Sequence, residues 1–213
     1  MKVASPREAE LNLGRYVTSN VNITVNGISR PLGSRYRKFK TPVNNYTILA
    51  FGVLFDFTGN DKFVSTCQPV HDLINERWFQ TVLRDETHDV DVIVVVGHTP
   101  LRNSTGFEYD LVLSAIRAHL PTIPVQFFGG HSHIRDFRKY DDLAHGIESG
   151  RYLETLGWIN MDLNPFRLGR RYIDNNLGGY RFHTEIEEEQ EFETHEGKAI
   201  SEEIQKKVTI LYS

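Results

Sequence analysis

Two apolar, β-rich runs, Val90–Val96 (VDVIVVV) and Val125–Phe128 (VQFF), each stop in glycine and then histidine: Gly97-His98-Thr99-Pro100 and Gly129-Gly130-His131-Ser132-His133. Near-continuous apolar runs suit strands buried on both faces, as in parallel sheets covered by helices. Such sheets bind ligands at the carboxyl ends of their strands. Glycine there lets the backbone turn and approach a ligand closely. A neutral imidazole offers a nitrogen to a metal ion. If His131-Ser132-His133 is extended, its spacing of two turns both rings to one side and Ser132 to the other. A single histidine after a strand is ordinarily a hydrogen-bonded loop residue. Two such loops on successive strands joined by one helix are a stronger signal than either alone.

The elements around these loops follow from periodicity. Tyr16–Val25 is rich in β-formers and ends in Asn26-Gly27, a strong hairpin turn. Thr47–Phe55 reads as a central strand. Gln68–Leu83 carries Val70, Leu73, Ile74, Trp78 and Val82 on one helical stripe, which reads as core packing. Phe107–Leu120 is a second helix, stopped by Pro121. Leu156–Leu163 is the last clear strand. Strand, helix, strand, helix, strand predicts a βαβαβ unit with parallel strands, and right-handed crossovers place both histidine loops at one edge.

Composition narrows the function classes. At 213 residues, 39% apolar and 24% charged, the chain is sized for one globular domain. A net charge of −4 argues against a nucleic-acid surface. The most basic stretch, Arg30–Lys40 (RPLGSRYRKFK), reads as a solvated loop or hairpin, and Glu185–Thr194 (EIEEEQEFET) as a solvated acidic tail. The single cysteine, Cys67, permits no internal disulfide and reads as a packing residue. No run has the roughly 20 apolar residues of a membrane span, and Met1–Leu13 lacks the apolar centre of a signal peptide. Three sequons, at Asn22, Asn45 and Asn103, hint nonetheless at a secretory or vacuolar parent protein, with Asn103, beside the His98 loop, the one most expected to be exposed.

The two loops resemble the last two histidine motifs of the calcineurin-like metallophosphoesterases, in that family's order. The likeness is nearest to the 5'-nucleotidase-like branch and its fungal members. It extends over Gly14–Val21 (GRYVTSNV), Tyr46–Phe55 (YTILAFGVLF), Glu148–Leu163 (ESGRYLETLGWINMDL) and Arg170–Asn176 (RRYIDNN), within residues 12–176. The family's upstream Asp-x-His, Gly-Asp and Gly-Asn-His motifs have no counterpart in Met1–Leu13. Gly59-Asn60-Asp61 lacks the histidine and reads as a turn. The expected layout is therefore an N-terminal segment (1–13), the C-terminal half of a metallophosphoesterase domain (14–165), and a short tail (166–213). The expected fold class is α/β: part of that family's layered sandwich, with the βαβαβ unit and flanking strands.

The resemblance implies that His98 and His131 bind one divalent ion and His133 a second, the ions being Zn, Mn or Fe. It implies a metal-dependent phosphoester hydrolase acting on a phosphomonoester or nucleotide. Three imidazoles on their own could hold one Zn²⁺ with water in the fourth position. Asp136 and Glu148 are candidate supports for the histidines, and Arg135 and Arg151 candidate phosphate contacts. His71, His88, His119, His145, His183 and His195 have no motif context and read as surface or packing residues. The alternative is an inactive truncated fragment or a non-enzymatic binding module, since the upstream motifs are absent.

Overall fold

A computed structural model describes residues 15–59, 65–102, 107–185 and 194–211. Met1–Leu13, most of the acidic tail, Asn103, and Asn60 and Asp61 of the expected turn lie outside them. The chain divides into two compact units, one ending at Tyr172 and one beginning at Ile173.

The first unit is built on a six-stranded sheet. Its strands are β3 (Tyr36–Lys40), β4 (Thr47–Leu54), β6 (Val92–His98), β7 (Val125–Phe128), β9 (Ala144–Ser149) and β8 (Arg135–Lys139), in that spatial order. The four central strands are parallel, and β3 and β8 close the two edges antiparallel. Register sets where the strands end: Leu54 lies opposite His98, and Val96 opposite Phe128. Both histidine loops therefore leave the same carboxyl edge, as the βαβαβ reading requires. Mixed α/β architecture with this parallel centre is the expected fold class.

One face of this sheet is sealed. Leu49, Phe51, Ile93, Val95, Val125 and Phe127 have no exposed surface, and helices α2 (Arg77–Asp85) and α3 (Glu108–His119) pack on them. Phe51 meets Phe79 at 5.0 Å between ring centres, and Phe127 meets Tyr109 at 4.7 Å. The α2 and α3 side chains in this cluster include Phe79, Val82, Leu83, Val112 and Ile116. At roughly 1.5–3 kcal/mol for each fully buried large apolar side chain, this cluster dominates the unit's stability.

The expected helix over Gln68–Leu83 is broken. A short helix, α1 (Val70–Leu73), ends where Asn75 donates its side-chain amide to His71 O at 2.7 Å, and Glu76 is extended before α2 begins. Asparagine bonding back to the chain in this way competes with helix continuation. Of the loop and hairpin readings of Arg30–Lys40, the hairpin is the one found, and its β3 arm is an edge strand. β3 pairs with β4, and Lys38 donates to Glu86 O at 2.8 Å and pairs with Asp89. The strand read over Leu156–Leu163 is β10 (Thr155–Leu163), and the family-like stretch 148–163 also includes the end of β9. β10 pairs with β11 (Phe166–Asp174) as a two-stranded sheet.

A smaller sheet sets β1 (Val21–Val25) between β2 (Ile28–Pro31) and β5 (Ser65–Cys67). Its β1–β2 turn is Asn26-Gly27, with φ of 52° and 77°, as a type I′ hairpin demands. The second unit contains α4 (Leu177–Thr184), whose Asn176 side chain caps it by accepting from Gly179 N at 2.7 Å, and α5 (His195–Leu211). Among the described residues, no helix is long and apolar enough to cross a membrane.

Candidate metal centre

The site is made by strand ends. β6 runs into Gly97 and His98 without leaving the sheet, and Phe55 N donates to His98 O at 3.3 Å from the neighbouring strand end. The approach at Gly97 is too close for any side chain. A Cβ there would lie 2.0 Å from Val53 O and 2.8 Å from the Tyr109 hydroxyl. Gly129 opens the second loop under the same restriction, its Cβ position being 2.8 Å from Thr99 O.

The two loops are stitched to each other. Gly130 N donates to Thr99 O at 3.0 Å. Tyr109, buried in α3, donates its hydroxyl to Phe128 O at 3.0 Å. The Glu148 carboxylate, 2% exposed, reaches both loops. Its Oε1 accepts from Leu101 N at 2.5 Å, and its Oε2 accepts from the Ser132 hydroxyl. Burial pushes the Glu148 carboxyl up, and those two hydrogen bonds pull it back down.

These supports bring two imidazoles together. His98 Nε2 and His131 Nδ1 lie 3.0 Å apart, and the rings meet edge-on with centres 4.9 Å apart. Phe55 stacks on His131 at 4.2 Å and touches His98 at 5.9 Å. His133 is farther off, its ring centre 6.4 Å from that of His131. The segment is not extended. His131 and His133 have φ of 73° and 64°, in the left-handed region, so the alternation expected of a strand does not operate. Ser132 instead points its hydroxyl at Glu148.

The electrostatics favour a neutral His98 ring. Burial lowers the His98 pKa, and the neighbouring His131 and His133 lower it further. Neutral imidazole is the form that donates a lone pair to a cation. Two facing nitrogens with exposed surroundings suit one edge of a coordination sphere. Among the described residues, no group of three or more His, Cys, Asp or Glu converges on one point. The chemistry of the two facing imidazole nitrogens is of the kind that suits a divalent ion.

Other expected contributors fall elsewhere. Asp136 accepts from Arg102 Nε at 2.8 Å, an ion pair on the β8 edge. The Arg151 guanidinium lies over the Tyr152 ring. His145 is buried at 6% exposure between the rings of Phe137 and Phe166. Sequence reading missed Phe55. Its one signal was its position, directly after a buried strand that ends level with His98.

The fold is mixed α/β, with a parallel sheet centre and paired histidines at its carboxyl edge. Comparison with known proteins makes it consistent with a partial phosphoesterase-like α/β fold. The structure is similar to the crystal structure of a 5'-nucleotidase from Candida albicans, with a TM-score of 0.81 and 38% identity, covering 97% of this chain and 40% of that one. In sequence, it is 34% identical over 233 aligned positions to a protein of Arthroderma benhamiae described as a secreted protein, covering 89% of this chain and 34% of the relative. It is 33% identical over 178 positions to an uncharacterised protein of Saccharomyces cerevisiae, covering 79% of this chain and 29% of that protein. The chain thus spans about a third of the length of the curated relatives it matches. No family model matches it.

Proposed function

We propose that His98 and His131 hold a divalent cation in the site of a metal-dependent phosphoester hydrolase of the 5'-nucleotidase kind, acting on a phosphomonoester or nucleotide. The supporting observation is the 3.0 Å approach of His98 Nε2 to His131 Nδ1 at the carboxyl edge of the parallel sheet. In this reading His133, one ring farther along the loop, serves a second ion. Zn, Mn and Fe all accept imidazole ligands.

The divisions of labour follow from the contacts. Bound divalent ions supply Lewis acidity toward phosphoryl oxygens and an activated water. The protein's own residues hold the ligands still. Phe55 fixes the plane of His131 by stacking. Glu148 accepts from both the Leu101 backbone N–H and the Ser132 hydroxyl, so the two histidine loops keep their separation. Gly97 and Gly129 let the loops approach each other.

The test is metal titration of the purified chain by calorimetry with Zn²⁺ and with Mn²⁺. Binding should be lost in His98→Ala and in His131→Ala and retained in His119→Ala, whose ring bonds Gln80 instead. Retention of full affinity in both of the first two variants would overturn the assignment. Only two donors converge among the described residues, so turnover of a nucleoside monophosphate or an aryl phosphate by the chain alone should stay near background. Robust turnover abolished by His131→Ala would show that the chain supplies a full ligand set.

A further inference from the structure

Two of the three sequons, at Asn22 and Asn45, lie within the described residues, and they are not equivalent in the folded chain. In eukaryotic secretion, glycan transfer precedes folding, so the structure decides which asparagine can carry a bulky polar group and still let the chain fold. Asn22 sits in β1, the middle strand of its sheet, opposite Pro31 on one side and Thr66 on the other. Its side-chain oxygen accepts from Arg35 Nη2 at 2.9 Å, and the same arginine donates to Ser19 O. A sugar there would press into a half-buried, hydrogen-bonded sheet.

Asn45 is the opposite case. It lies in the tight connection between β3 and β4, exposed, with φ of 56° in the left-handed region that asparagine tolerates. Its backbone N–H donates to Thr41 O at 3.1 Å, which fixes the turn. Among the described residues no hydrogen bond engages its side-chain amide, which is left to solvent. Its neighbours include Val43, 89% exposed, and Tyr46, 36% exposed, apolar surface that a saccharide can cover. The turn precedes β4, whereas the histidine loops lie at the far end of that strand. At about 3.3 Å per residue this separates them by about 25–30 Å.

We propose that Asn45 is an N-glycan acceptor when the chain passes through a eukaryotic secretory pathway. In the transfer, Asn45 Nδ2 bonds to the anomeric carbon of an oligosaccharide. The bond from that carbon to the diphosphate of its polyprenyl carrier breaks. The amide nitrogen gives up one proton, and the carrier diphosphate leaves with the electron pair. The glycan hangs from the amino edge of the sheet and leaves the histidine edge open.

The experiment secretes the full chain from yeast behind a secretion leader and maps the glycopeptides by mass spectrometry after enzymatic deglycosylation in heavy-oxygen water. Asn45 should carry the heavy-oxygen tag and Asn22 should not. Asn45→Asp, which keeps a side chain suited to left-handed φ, should remove one step from the endoglycosidase mobility shift. A secreted, folded chain with Asn45 unmodified overturns the proposal, as does occupancy of Asn22 equal to that of Asn45. Peptide mapping is done on the unsubstituted chain, so misfolding of the variant cannot decide the result. Metal binding by His98 and His131 is a separate measurement, and failure of either reading leaves the other standing.

Discussion

The two faces of the six-stranded sheet are covered to different degrees. On the helix face, six strand residues from Leu49 to Phe127 show no exposed surface. On the other face, Ile48, Ala50 and Val92 keep 7–8% exposure near the amino edge, and exposure rises to 40% at Val96 and 37% at Phe128 beside the histidine loops. One face is the chain's own core. The other opens toward the candidate site, where apolar side chains stand beside the histidine loops. Stability and the site's surroundings are thus carried by opposite sides of the same strands.

The sharpest way to break this contrast is Phe127→Ala. The ring is fully buried and contacts both Tyr109 and Tyr140. Truncation of such a residue should cost about 3–5 kcal/mol, read as a large fall in the urea midpoint. A loss below about 1 kcal/mol would mean that the helix face is not the core.

Between the faces lies the edge itself, and Glu148→Ala tests its construction. Removing the carboxylate leaves the Leu101 N–H and the Ser132 hydroxyl without their shared acceptor. An orphaned buried donor costs about 1–3 kcal/mol. The same variant should weaken divalent-ion binding, because the two histidine loops lose a common anchor. Binding unchanged alongside lost stability would separate the support of the fold from the support of the site.

The sheet centre was legible because its information is local. Val92–His98 and Val125–Phe128 announce themselves by apolar runs, α3 matches the Phe107–Leu120 reading within one residue at each end, and Asn26-Gly27 forms the turn its residues favour. Of the edge strands, β8 was not legible and β3 only as the hairpin alternative for Arg30–Lys40. Their sequences, Tyr36–Lys40 and Arg135–Lys139, are mostly charged, and only pairing with a buried neighbour makes them strands. The site divides likewise. The histidine positions follow from strand ends, but no local pattern marks the left-handed φ at His131 and His133. No periodicity encodes a carboxylate that bridges Leu101 and Ser132 from 47 and 16 residues away.

The second face is not open everywhere, and His145 probes the part that is covered. It shares that face with Gln126, its register partner, between Phe137 and Phe166. Burial lowers its pKa, and Lys139 lowers it further against smaller opposing effects of Asp141 and Asp142. The folded chain therefore resists protonation more than the unfolded chain does. This contribution to stability is full above the unfolded histidine value of about 6.5 and is lost as pH falls from there through the lower folded value. Melting temperature should decline over that window, and His145→Phe should flatten the decline. An unchanged slope would place the responsible group elsewhere.

The smallest effect is expected at the open end of the same face. Phe128→Ser removes a ring that is 37% exposed, yet the backbone carbonyl of residue 128, which accepts from Tyr109, is retained. Partial burial forfeits only part of the roughly 1.5–3 kcal/mol of a fully buried phenylalanine, so the loss should be about 1 kcal/mol or less. Val96→Ser, at 40% exposure, should cost less again, since valine has less apolar surface to lose. Both are read in the same urea titration as Phe127→Ala. The pair Phe127 and Phe128 is the most direct comparison, because adjacent strand residues differ only in the face they enter. A loss at Phe128 as large as at Phe127 would show that the second face is as sealed in solution as the first. The rise in exposure toward the histidine edge would then have no energetic meaning.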